Sequence, residues 1–237
     1  PGMRLDLRYE YVDQDQPRSG SDKVAVGQIH RHHDEIKTVN RNLVATLDYT
    51  FDPTWGVSVQ LPVTDRAHAH VHNHRGAQIY DAWELTGLGD ARLLGRYRSP
   101  LDGGAWGLTA GVKLPTGDID KTNSAGKIAE RPLQPGSGTT DLLAGIYLNR
   151  QVLIGAKPAA WFVQAQVQLP LTERAEFQPG NQLFVDAGVS YPVTDQLSGL
   201  LQVNAHIKGR DSGAEAEPDD SGGRFVSLSP GLGYAIT

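Results

Sequence analysis

Seven of the chain's eight histidines fall in two short runs, and these carry its most distinctive chemistry. His30, His32 and His33 stand beside Asp34 and Glu35, and His68, His70, His72 and His74 alternate with other residues in RAHAHVHNH. Imidazole is a good ligand for Zn²⁺, Cu²⁺ or Ni²⁺, and carboxylates complete such sites. Alternate residues of an extended chain point to one side, so the second run presents four rings on one face. A neighbouring loop can supply the remaining ligands. The spacing therefore predicts a transition-metal site, for Zn²⁺ or Cu²⁺, built from His30, His32, His33, His68, His70, His72 and His74. No cofactor is required. HRHHDE lacks the spacing of the helical HExxH zinc-protease motif, and no helix is expected there. The chain has no G-x-S-x-G and no phosphate-cradling glycine loop, so it does not read as an enzyme.

The elements that must position these residues are strands. Met3 to Tyr11 places Met3, Leu5, Leu7, Tyr9 and Tyr11 on one face and Arg4, Asp6, Arg8 and Glu10 on the other. The same period of two returns at Asn42 to Phe51, from Trp55 onward, and at Asp90 to Arg98, Trp106 to Leu114, Asp141 to Asn149, Trp161 to Leu169, Leu183 to Tyr191, Leu197 to Ile207 and Val226 to Ile236. That makes about ten strands, most near the nine to eleven residues that a tilted membrane strand needs. A face made wholly of charges suits water inside a barrel, and an apolar face suits lipid outside it.

The connections alternate between long and short. Long polar loops are expected at 12–37, 68–86 and 116–138, a medium one at Thr172 to Asn181 and a long acidic one at Asp211 to Arg224. Tight turns separate them, as in Asp52-Pro53-Thr54. Outer-membrane barrels have this rhythm, with long loops outside and short turns on the periplasmic side. Three upward strands also end alike, in VQLPVTD (Val59 to Asp65), VKLPTGD (Val112 to Asp118) and VQLPLTE (Val167 to Glu173). Proline cannot donate to a ladder and belongs at a rim. Tyr and Trp on the apolar faces fit interfacial girdles.

The 237 residues form one expected domain, 1–237, an all-β antiparallel up-and-down transmembrane barrel. No apolar run approaches the roughly 18 residues of a membrane helix. A net charge of −5 gives no basic footprint for nucleic acid, and the lack of cysteine excludes disulfides and thiolate metal sites. The pattern starts and stops abruptly in strand, which predicts residues missing at both ends.

The phrases GLGDARLLGRYR (Gly87 to Arg98), WGLTAGVKLPTGD (Trp106 to Asp118) and SPGLGYAIT resemble bacterial outer-membrane proteins of the phenol-degradation meta-pathway type, which are transporter-like β-barrels. The resemblance covers Gly87 to Thr237, and the repeated VQLP strands extend it backwards. It implies a further upward strand and a final strand after GLGYAIT, hence about twelve strands when complete, an even number. It says nothing about the histidines.

A bacterial outer-membrane barrel is thus expected, in contact with outer-membrane lipid and passing or binding a small solute or metal ion at a His-rich extracellular mouth. The alternatives are a structural or docking protein that engages a protein partner through its long loops and, last, an outer-membrane hydrolase. The expected lumen lining includes Arg4, Arg8, Asp48, Arg92, Arg96, Lys113, Asp186 and His206. Acids and bases are balanced on this face, which predicts ion pairing across a narrow wet interior.

Overall fold

The computed structural model describes residues 1–28, 33–74 and 77–236, with backbone alone at positions 33, 73, 74 and 220. The strands are β1 (Gly2–Gln14), β2 (Arg18–Ser19), β3 (Asp22–Lys23), β4 (His33–Thr50), β5 (Trp55–His74), β6 (Ala77–Leu88), β7 (Ala91–Leu101), β8 (Gly104–Leu114), β9 (Asp141–Ile154), β10 (Lys157–Pro170), β11 (Gln182–Pro192), β12 (Leu197–Lys208) and β13 (Gly223–Tyr234). Ten of them form an antiparallel sheet in the order β1-β4-β5-β7-β8-β9-β10-β11-β12-β13, and β6 pairs with β5. β2 and β3 make a separate small hairpin. This is the meander expected of an up-and-down barrel, curled about a polar interior, with ten strands along its path.

The alternation decides which face lies where. Leu47, Val59, Leu93, Leu108, Ile146, Val163 and Val203 all remain substantially exposed on the outer face. An apolar band of this kind around a sheet is what lipid contact requires. The opposite face carries Asp48, Arg92, Lys113, Gln168 and Asn204. No helix of the described residues is long and apolar enough to cross a membrane.

Two expected loops need correction, and the first, 12–37, holds the end of β1, the β2–β3 hairpin and the start of β4. Residues 68–74 and 77–86, read as parts of a long loop, are instead strand. β5 runs for 20 residues, about twice what a tilted strand needs to cross a bilayer. β4 pairs with it along nearly its whole length, from Thr50↔Gly56 to His33↔His72. Its other edge is shared between β7, through Trp55↔Tyr97 to Gln60↔Arg92, and β6, through Val63↔Leu88 to His74↔Ala77. β6 and β7 are therefore one descending strand interrupted at Gly89-Asp90. The interruption sits opposite Pro62, which has no N–H to give. The Gly89 N–H instead donates to the Pro62 carbonyl at 2.9 Å. A Cβ at Gly89 would stand 2.8 Å from the Pro62 ring, so the close approach requires glycine. The period of two that defines a strand continues through the histidines themselves. Their polarity made the stretch look like a loop.

Leu108→Arg, on the outer face near the middle of β8, is expected to destabilise the barrel by about 2–4 kcal/mol, the cost of a cation at the bilayer midplane. Gln166→Lys, on the inner face of β10, should cost less than about 1 kcal/mol. Urea unfolding of both variants in lipid vesicles checks the contrast.

Candidate functional site: a lumen narrowed by its own loop

The inner face is not empty. Residues 115–140, which leave β8 and return to β9, fold back against it. The anchor is Lys113, whose ammonium lies 2.9 Å from Asp90 Oδ2 and 3.3 Å from Asp141 Oδ2 and is almost wholly buried. It also donates to the Thr139 carbonyl and to Ser137 Oγ. Asp90 accepts from the Ser137 N–H and from the Gly117 N–H, binding both legs of the loop. Asp141 accepts from Thr139 Oγ1 and Gln168 Nε2, each at 2.6 Å. Gln168 in turn accepts from Arg92. A buried charge set is tolerable only when its lone pairs and protons are satisfied in this way.

Further out, the loop is held by the wall at its backbone. Arg66 donates to the carbonyls of Pro132 and Leu133 at 3.1 and 2.7 Å. Trp83 Nε1 donates to the Lys127 carbonyl, and Asn123 donates to that of Ala82. Gln134 bonds to the backbone of Lys121 and Ala129 and closes the loop on itself. Where the two legs cross, a Cβ at Gly117 would meet Gly136 Cα at 2.6 Å, so neither position tolerates a side chain. Trp83, Leu85 and Ala129 form a small buried apolar cluster with Leu133 against it, between β6 and the loop.

Two chambers flank this loop. The inner one, of about 500 Å³, is bordered by Arg8, Arg66, Arg92, Lys113, Arg131 and Lys208 and by fewer acids, among them Glu10, Asp90 and Asp211. Arg8 pairs with Glu10, and Lys208 with Asp211. The other guanidinium groups have neutral partners. Arg66 donates to Asn40 and to the loop carbonyls, Arg92 to Gln168, and Arg131 to the Ser137 carbonyl while lying over the Phe177 ring. Among the described residues, none of these three has a carboxylate within ion-pair distance. Arg131 is buried, and its Nε has no hydrogen-bond partner.

The outer chamber, of about 480 Å³, lies between β5, residues 128–133 and residues 214–221. Its lining includes His68, His70, Glu35, Glu130, Glu215 and Glu217. His68 Nδ1 is 2.7 Å from Thr38 Oγ1, and its Nε2 is 3.0 Å from His70 Nδ1. His70 Nε2 faces Glu130 at 3.8 Å and Asp81 at 4.0 Å. Both rings pack on Trp83. Burial, reinforced by Glu217 and Asp81 and opposed by Lys127, pushes the Glu130 carboxyl up to about 7.

Of the expected histidine set, the side chains of His68, His70 and His72 are among the described residues. His68 and His70 are buried on the inner face of an extended hairpin, engaged with each other and with Thr38. His72 pairs in register with His33 across β4 and β5. The side chains of His33 and His74, and the whole of His30 and His32, lie outside the described residues. Among the described residues, no three His, Asp or Glu side chains are grouped to hold a metal ion. His206 is remote from this set, bonded to Gln182 and stacked on Phe184 with ring centroids 4.4 Å apart.

Of the expected lining residues, Arg8, Arg92 and Lys113 border the inner chamber. Arg4 pairs with Asp48 at 3.0 Å, Arg96 lies 4.0 Å from Asp48, and Asp186 accepts from Gln164. Arg66, Trp83, Glu130 and Arg131 were not singled out from the sequence. Alternation of Asp81, Trp83 and Leu85 was the available signal for β6. Nothing local marks Glu130 or Arg131, because only the return of the loop places them.

Lys113→Met leaves Asp90 and Asp141 without their cation, a loss of about 3–5 kcal/mol for a buried pair. The loop should then leave the wall, and trypsin should cut after Lys121 or Lys127 at least about tenfold faster than in the parent. Glu130 gives a pH dependence of known sign. Its folded pKa is raised, so loop docking is strongest below the ordinary glutamate range near 4.5 and weakens as pH rises through about 7. Hydrogen exchange of loop amides between pH 5 and 8 should show this trend. The Glu130 share is the part of the trend that disappears in Glu130→Gln.

The fold has solved counterparts. The COG4313 outer membrane channel from Pseudomonas putida F1 superposes with a TM-score of 0.67 at 13% identity, covering 99% of this chain and 82% of that one. The β domain of the Bordetella autotransporter BrkA superposes with a TM-score of 0.54 at 14% identity, covering 84% of this chain and 74% of that one. No functionally curated protein matches the chain. The fold is that of an outer-membrane β-barrel, and residues 82–237 match the family described as "Putative MetA-pathway of phenol degradation", to which this chain belongs.

Proposed function

We propose that this protein is a passive channel of the bacterial outer membrane that passes small polar solutes through a lumen narrowed by residues 115–140. The observation that carries this reading is the placement of that loop. It is anchored to the inner wall at Lys113 and Arg66, yet it leaves polar chambers on both sides of itself. Rigid anchoring sets the size limit, and charged lining sets the chemistry of what enters. The described similarity to an outer membrane channel supports the reading. The charged groups of the inner face make water and hydrophilic solutes its natural contents.

Planar-bilayer recording tests the proposal. The parent protein should give small, well-defined current steps. Replacing residues 119–133 with a short Gly-Ser linker should raise the conductance by roughly threefold or more, since the narrowest section is removed. Absence of current from folded protein both with and without the loop would overturn the channel function.

A further inference from the structure

The two chambers have opposite charge character, and they meet across a single turn. The Arg131–Leu133 turn is only 3 residues long, and Arg131 and Pro132 border both spaces. On the inner side stand Arg66, Arg92 and Arg131, whose hydrogen bonds go to amides and carbonyls and which Glu35, Asp90, Asp141 and Glu215 influence only from beyond ion-pair distance. On the outer side stand the carboxylates of Glu35, Glu130 and Glu217.

A simple anion attracted by the guanidinium groups must first pass these carboxylates. A simple cation held by the carboxylates then meets the guanidinium groups. A solute that carries both charges is favoured on both sides. Guanidinium suits a carboxylate because its planar fork matches the two oxygens. An ammonium is a compact point charge that several carboxylates can share without fixed geometry. Chambers of this size lie within the ordinary range of small-ligand sites, about 300–1,000 Å³. Arg131 adds a further sign of an unfilled requirement, a nine-tenths buried side chain whose Nε has no partner.

We propose that the paired chambers form a binding site for zwitterionic aminocarboxylates, with the solute's carboxylate toward Arg66, Arg92 and Arg131 and its ammonium toward Glu130, Glu217 and Glu35. The site deepens the channel reading and rests on it. The solute crosses the turn at Arg131–Leu133 with its charges on opposite sides, so the loop recognises it as well as narrowing its path.

Single-channel recording at pH 8, with Glu130 ionised, separates the outcomes. γ-Aminobutyrate, butyrate and butylammonium have similar size and differ in charge pattern. γ-Aminobutyrate should interrupt the current at concentrations about tenfold lower than either of the others, a difference of about 1.4 kcal/mol. Glu130→Gln combined with Glu217→Gln should weaken its block to the level of butyrate. Arg131→Gln combined with Arg66→Gln should weaken it to the level of butylammonium, and Arg131→Lys alone should retain most of it, which separates charge from folding. Block by γ-aminobutyrate no stronger than by butyrate or butylammonium, or unchanged in both double variants, would overturn the zwitterion site while leaving the channel intact. A folded parent that carries no current would overturn the channel reading, and this site with it.

Discussion

The ammonium of Lys113 is the constraint on which the interior depends. It stands between Asp90 and Asp141, and these two carboxylates belong to the places where the descending strand breaks and where β9 begins. It donates to Ser137 and Thr139 on one leg of the 115–140 loop, and its partner Asp90 accepts from Gly117 on the other. One buried cation therefore joins barrel wall, strand break and constriction. Its desolvation is offset only because nearly every neighbouring oxygen is engaged. The arrangement positions Arg66 and Trp83 to hold the far end of the loop, and so to define both chambers.

The wall was legible in the sequence because lipid and water impose a period of two on every strand that separates them. Leu108 alternating with Thr109 is visible without coordinates, and the inner position of Arg92 or Asp186 follows from parity. The upper hairpin was hidden by composition. His68, His70 and His72 keep the strand period on the inner parity, but the alternate positions Ala67 and Ala69 are only weakly apolar, so hydrophobicity ceased to mark the element.

The chambers were illegible for another reason. Glu130 and Arg131 are neighbours in the chain, and nothing in their local sequence distinguishes them from a solvated polar pair. Their roles come from long-range return of the loop, fixed by Lys113 of β8, Arg66 of β5 and Asp90 at the strand break. The two-glycine crossing at Gly117 and Gly136 is similar. Each glycine is ordinary alone, and only the approach of one leg to the other removes the room for a side chain. Sequence periodicity reports the environment of a strand, whereas a loop's environment is set by partners it has not yet met.

Both legs of the 115–140 loop leave and re-enter the wall within the reach of one cluster, and Gln134 closes the intervening chain upon itself. The ladder between β8 and β9, from Gly104↔Arg150 to Lys113↔Asp141, is complete beneath it. Mechanically, the insert is a cassette clipped into a finished frame. Its length and charges can drift between relatives without disturbing strand register, provided the clip is kept. The wall and the insert are thus structurally separable, and likeness of the wall between two such proteins carries little information about the insert.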